Sequence, residues 1–137
     1  MTDPPLVAKK LARIEQCVAE LRRHADVDRL ARDVVMQRFV EHTLQIAIQS
    51  ALDVASHIAS SERLGEPATN HALFDLLAKG GWLAPEAVPT LRAMVGFRNI
   101  IVHEYDDVDL QVVREVVAEH LDDLLAFVAA IRQGLAG

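Results

Sequence analysis

The chain has 137 residues, a size that fits one domain around a single core. Half of them are hydrophobic (51%) but only 4% are aromatic, so the core must come from Ala, Val, Leu and Ile. A net charge of −6 excludes the broad basic surface of a general nucleic-acid binder. That charge is uneven: residues 1–66 hold nine Lys/Arg against ten Asp/Glu, and 67–137 hold five against ten. A polyanion is therefore expected to meet the N-terminal half, or a local basic pocket. Cys17 is the one cysteine, which rules out an intrachain disulfide framework and fits a reducing cytosol. No run approaches the ~20 apolar residues of a membrane span, and MTDPPLVAKK lacks a signal-peptide core. A soluble, cytoplasmic single domain over residues 1–137 is expected.

Helical periodicity dominates, with no period-2 alternation of strand type. Val7, Leu11, Ile14, Val18 and Leu21 recur at spacings of four and three behind Pro4 and Pro5, giving a first helix. A second is predicted from about Asp28 to Ser60. It carries one stripe of Leu30, Val34, Leu44, Ile48, Ala55 and Ile58, and another of Phe39 and Ile46. Apolar residues on two sides imply burial on two sides, by the bundle and by a second copy of the chain. SERLGEPATN is a loop, and a short helix follows from about His71 to Lys79, capped by Thr69 or Asn70 and stopped at Gly80. Trp82 is expected to plug the bundle end. Pro85 and Pro89 suit the first turn of a fourth helix. A fifth is predicted from about Val108 to Gln133, with Leu110, Val113, Val117, Leu121, Leu124, Val128 and Ile131 inward and Asp106, Asp107 and Asp109 near its start. The fold class is all-α: an antiparallel bundle of four long helices and one short.

The fourth helix ends in FRNIIVHEY, Phe97 to Tyr105. Asn99 and His103 share a helical face, whereas Arg98 and His103, five apart, diverge by about 140° at ~3.6 residues per turn. They converge only if the helix ends near His103, or if a second copy supplies one of them. The string R-N-I-I-V-H-E-Y resembles the R-x4-H-x-Y motif of the HEPN superfamily, more narrowly the HepT toxins paired with minimal nucleotidyltransferase antitoxins. IQSALDVASHI, Ile48 to Ile58, is similar to the second-helix segment of that group, so the resemblance extends over nearly the whole chain.

The resemblance implies a homodimer whose two motifs line one cleft, and metal-independent RNA cleavage with no cofactor. Attack of a ribose 2′-OH on the adjacent phosphate needs a base, which His103 can be near neutral pH, and fixed positive donors, which Arg98 offers. Asn99 can orient a phosphate or His103. Tyr105 is marked as the acceptor of AMP from the paired nucleotidyltransferase. An acidic chain binds RNA poorly in general, which favours a narrow substrate, weak activity, or a function through a protein partner.

Asp53 and His57 stand at i and i+4 with no third metal ligand evident. A surface ion pair or a polar contact at the dimer interface or cleft is the expected use. Lys9, Lys10 and Arg13, and separately Arg22, Arg23, Arg29 and Arg32, read as solvated faces or as RNA tracks. Two functions compete: a ribonuclease toxin silenced by a nucleotidyltransferase, and a non-catalytic helical subunit that dimerises or binds substrate beside one.

Overall fold

The computed structural model describes residues 2–103 and 108–137, with only the backbone of His103 included. Among the described residues the regular elements are six α-helices: α1 Pro4–His24, α2 Val34–Ser61, α3 Ala72–Lys79, α4 Val88–His103, α5 Leu110–Glu119 and α6 Leu121–Ala136. Two 3-10 turns, Val27–Arg29 and Pro85–Ala87, precede α2 and α4. The class is as expected; the predicted count of four long helices and one short is not.

The N-termini explain most of the segmentation. The Asp3 carboxylate accepts from Leu6 N at 3.2 Å, while Pro4 and Pro5 occupy a first turn that has no use for their missing N–H groups. The second helix begins six residues later than predicted because two aspartates compete for it. Asp26 accepts from Asp28 N and fixes a 3-10 turn; Asp33 accepts from Val35 N and Met36 N and starts α2. Leu30 is buried all the same, but Val34 is 59% exposed and leaves the predicted stripe. At α3 the side chains of Thr69 and Asn70 do not cap. Their backbone carbonyls take Ala72 N and Leu73 N instead. Gly80 ends α3 because the Leu64 side chain fills the place of a β-carbon, 2.7 Å away.

The predicted fifth helix breaks at His120. Its backbone N–H closes α5 onto Val116 O, and its Nδ1 lies 2.9 Å from the carboxylate of Asp123 in the first turn of α6. Asp122 and Asp123 suit that N-terminus electrostatically. The break lets α6 lie along α1, where Arg132 forks onto Glu15 at 2.8 and 2.6 Å. Val116 is buried, while Leu110 and Val117 stay half-buried, so the inward face of α5 is rotated from the predicted one.

Helix α2 is the hub and packs against α1, α3, α4 and α6. Phe74 and Phe127 meet edge to face at 5.8 Å in the core. Phe39 and Ile46 are half-buried against the same core, so the second stripe of α2 is used within the chain and does not by itself demand another copy. Trp82 covers Gly134 of α6, where a β-carbon would lie 2.5 Å from the indole. Cys17 is buried on α1, and burial pushes its thiol pKa up. No described helix is long and apolar enough to cross a membrane.

Candidate active site

Helix α4 buries Leu91, Met94, Val95 and Ile101. Arg98 stands in the same arc, four residues after Met94 and three before Ile101. A stripe that should take a leucine therefore takes a guanidinium. The flanking apolar residues do not share the burial: Ile101 is 6% exposed, but Ile100 and Val102 are 40% and 37% exposed.

The Arg98 guanidinium is held from two sides. Nη1 donates to Asn99 Oδ1 at 3.0 Å, and Nη2 donates across to Gln49 Oε1 on α2 at 2.5 Å. Both acceptors are neutral amides, so among the described residues the arginine is held without a carboxylate to neutralise its charge. Nε is buried without a hydrogen-bond partner among the described residues. Unsatisfied buried donors are costly, and none of the described residues supplies an acceptor for this one.

The network continues along α2. Gln49 Nε2 donates to Asp53 Oδ1 at 2.9 Å, and Lys10 Nζ on α1 donates to Asp53 Oδ2 at 3.1 Å. Asp53 thus pairs with Lys10, not with His57, and also orients the amide that holds Arg98. His57, one turn on, is used differently: its Nε2 accepts from Asp3 N at 3.0 Å and ties α2 to the start of α1. The i, i+4 pair is split between two partners and does not converge on one ligand.

The sequence reading missed Gln49. Its signal was present, a long amide four residues before Asp53 on a helix, but only the packing of α4 on α2 makes it a partner of Arg98. The side chain of His103 and all of Tyr105, Asp106 and Asp107 lie outside the described residues. Asp109 caps α5 through Gln111 N.

Known proteins share this arrangement of helices. The profile of the family described as Ribonuclease HepT-like matches residues 11–131. The mRNA nuclease HepT of Shewanella oneidensis is 31% identical over 128 residues, 93% of this chain and 96% of that protein. The tRNA nuclease HepT of Aphanizomenon flos-aquae is 31% identical over 109 residues, 78% of this chain and 74% of that one. Among solved structures, the tri-AMPylated Shewanella oneidensis HEPN toxin in complex with MNT antitoxin superposes with a TM-score of 0.88 at 31% identity, covering 97% of this chain and 99% of its own. A cytosolic Bacillus subtilis protein, YutE, also reaches 0.88, at 17% identity over 98% of this chain and 91% of its own, which is a likeness of fold alone.

Proposed function

The chain belongs to the HepT-like ribonuclease family, and from that premise we propose that it is the toxin of a toxin–antitoxin pair, a metal-independent endoribonuclease silenced by a nucleotidyltransferase. The observation that carries the proposal is the Arg98 guanidinium, set into the core-facing stripe of α4 and held by two neutral amides, with Nε unpartnered among the described residues. A cation fixed in this way costs no reorganisation when charge develops on a phosphate beside it.

In this reading His103 takes the proton of a ribose 2′-OH as the oxygen attacks the adjacent phosphorus. Arg98 donates to the phosphorane oxygens, and Asn99 keeps the guanidinium in plane. The P–O5′ bond breaks, the leaving oxygen is protonated, and the products end in a 2′,3′-cyclic phosphate and a 5′-OH. A positioned base of this kind contributes roughly 10²–10⁴-fold. A second copy completes the cleft: exposed Ile100 and Val102 follow Arg98 in sequence and offer that copy an apolar seat. Residues 1–137 act as one cytoplasmic domain.

Tyr105 is the proposed point of control. Its phenolic oxygen attacks the α-phosphorus of ATP held by the nucleotidyltransferase, which forms a tyrosyl–AMP bond and releases pyrophosphate. The added negative charge repels a substrate phosphate from Arg98. The tri-AMPylated toxin from Shewanella oneidensis, solved with its MNT antitoxin, supports this assignment.

The test is expression with and without the neighbouring nucleotidyltransferase, together with RNA cleavage in EDTA. Wild type is expected to arrest growth and cut RNA in the chelator. Arg98→Ala and His103→Ala are expected to do neither, and AMP-sized mass increments should map to Tyr105 and vanish in Tyr105→Phe. Cleavage lost in EDTA and restored by Mg²⁺ rules out the metal-independent mechanism. Toxicity that survives both alanine variants sinks the enzyme reading in favour of a binding subunit.

A further inference from the structure

Between α1 and α2 lies an open groove of about 480 Å³. Lys9, Lys10 and Arg13 stand on its α1 wall, and Ile46, Gln49 and Asp53 on its α2 wall. We infer that this groove seats the phosphate backbone of the substrate strand beside Arg98, upstream or downstream of the bond that is cut. The inference rests on the ribonuclease reading and names the surface that binds its substrate.

Charge commitment is the first argument. Arg22, Arg29, Arg92, Arg114 and Arg132 each pair with a carboxylate. In the groove, Lys10 is paired with Asp53, but the exposed Lys9 and Arg13 form no ion pair among the described residues. The groove therefore keeps two uncompensated positive charges on a chain whose net charge is −6. Position is the second argument. Gln49 is both part of the groove wall and the acceptor that holds Arg98 Nη2. A phosphate on Lys9 or Arg13 therefore lies in the groove whose wall includes the glutamine that holds the guanidinium. Shape is the third. Lys9 and Arg13 are one helical turn apart, ~5–6 Å between β-carbons, so along α1 they form a row, not a point. A row of cations suits a strand of phosphates better than a single anion. Half-buried Ile46 and exposed Leu6 add an apolar wall for a base face.

A local basic row also reconciles an acidic protein with an RNA substrate. Long-range attraction is weak, so binding depends on a few short contacts, and each phosphate contact adds ~0.7 to the salt slope of a single strand.

The experiment uses a fluorescent 2′-O-methyl oligoribonucleotide, which has no free 2′-OH and cannot be cut, so binding is read apart from cleavage. Anisotropy titrations run from about 50 to 200 mM salt, the range over which phosphate contacts weaken steeply. The full-length protein is compared with Lys9→Ala/Arg13→Ala and with Arg23→Ala/Arg32→Ala, an equal charge change on exposed residues outside the groove. The groove variant is expected to bind about ten-fold more weakly, with a salt slope smaller by roughly 1.4, while the control stays near wild type. On the unmodified RNA its KM should rise by about the same factor with kcat nearly unchanged, because uniform binding is what has been removed. Unchanged affinity and KM, or an equal loss in the control, overturns the inference while leaving the ribonuclease reading intact. Groove-dependent binding without cleavage of the unmodified RNA keeps the groove and overturns the ribonuclease. A wild-type protein that binds no strand overturns both.

Discussion

Gln49 and Arg98 belong to different helices, 49 positions apart, yet one hydrogen bond makes them a single device. Hydrogen bonds to charged groups contribute about 1.5–3 kcal/mol, and here the contribution is orientation more than stability. Gln49→Leu keeps the volume and removes the acceptor, which frees Nη2 and lets the guanidinium swing. Cleavage is expected to fall about ten-fold, mostly in kcat, with the melting temperature little changed, since a small misplacement of a catalytic group is costly. Arg98→Lys is expected to lose more, about 10²-fold, because one ammonium cannot serve Gln49, Asn99 and a phosphate in a plane. Equal kinetics for wild type and Gln49→Leu in single-turnover assays contradict the positioning role.

At the scale of elements, α2 carries two carboxylates with opposite pH signatures. Asp33 caps the helix, and the backbone N–H of Met36 first, with help from Arg29 and the Val35 N–H, holds its pKa below the usual value despite the opposing effect of desolvation. A depressed carboxylate stabilises the fold above its unfolded pKa, and that contribution is lost as pH falls through the folded one. Asp33→Ala should therefore lower the melting temperature at neutral pH, with the difference from wild type shrinking under acid. Glu41 is 5% exposed, and burial raises its pKa despite Arg38 at 3.8 Å. Its charged form is disfavoured in the fold, so its penalty is present at neutral pH and relieved as pH falls through the raised pKa. Glu41→Gln is expected to stabilise by about 1 kcal/mol at neutral pH, the scale of relieving one poorly solvated polar group, and by less in acid. Parallel melting curves for both variants at every pH refute the pair. On α6, Gly134→Ala drives a β-carbon into the Trp82 indole. It should cost about 1–3 kcal/mol and shift the fluorescence of the single tryptophan; an unshifted spectrum at wild-type stability refutes that packing.

For the whole molecule, the proposed second copy is expected to dock on apolar surface that the chain leaves uncovered. Exposed apolar residues lie at the start of α2 (Val34, Val35), on α4 (Ile100, Val102) and on α5 (Val112), and of these the α4 pair stands next to Arg98 in sequence. A dimer through α4 places two Arg98 motifs near one axis. Sedimentation is expected to give a dimer at micromolar concentration, with Ile100→Asp/Val102→Asp monomeric, folded and inactive. A folded monomer of wild type that still cleaves RNA rules out the composite cleft.

The sequence by itself determined the all-α class, the buried stripe of α1, the loop before α3 and the residues of the R-x4-H-x-Y string. These are local properties: period, caps, breakers and side-chain chemistry are written into consecutive positions. It misplaced the start of α2 because Asp26 and Asp33 both offer caps, and the contacts that give Asp26 to a 3-10 turn and Asp33 to the helix appear only in the folded chain. It ran α5 and α6 together because a periodicity that continues through His120 does not register a bend that lets α6 reach α1. The partnership of Arg98 with Gln49, and the placing of Lys9 and Arg13 beside it, were decided by tertiary structure alone. They depend on which helices pack against α2 and at what register, and no spacing within one helix encodes a hydrogen bond to another.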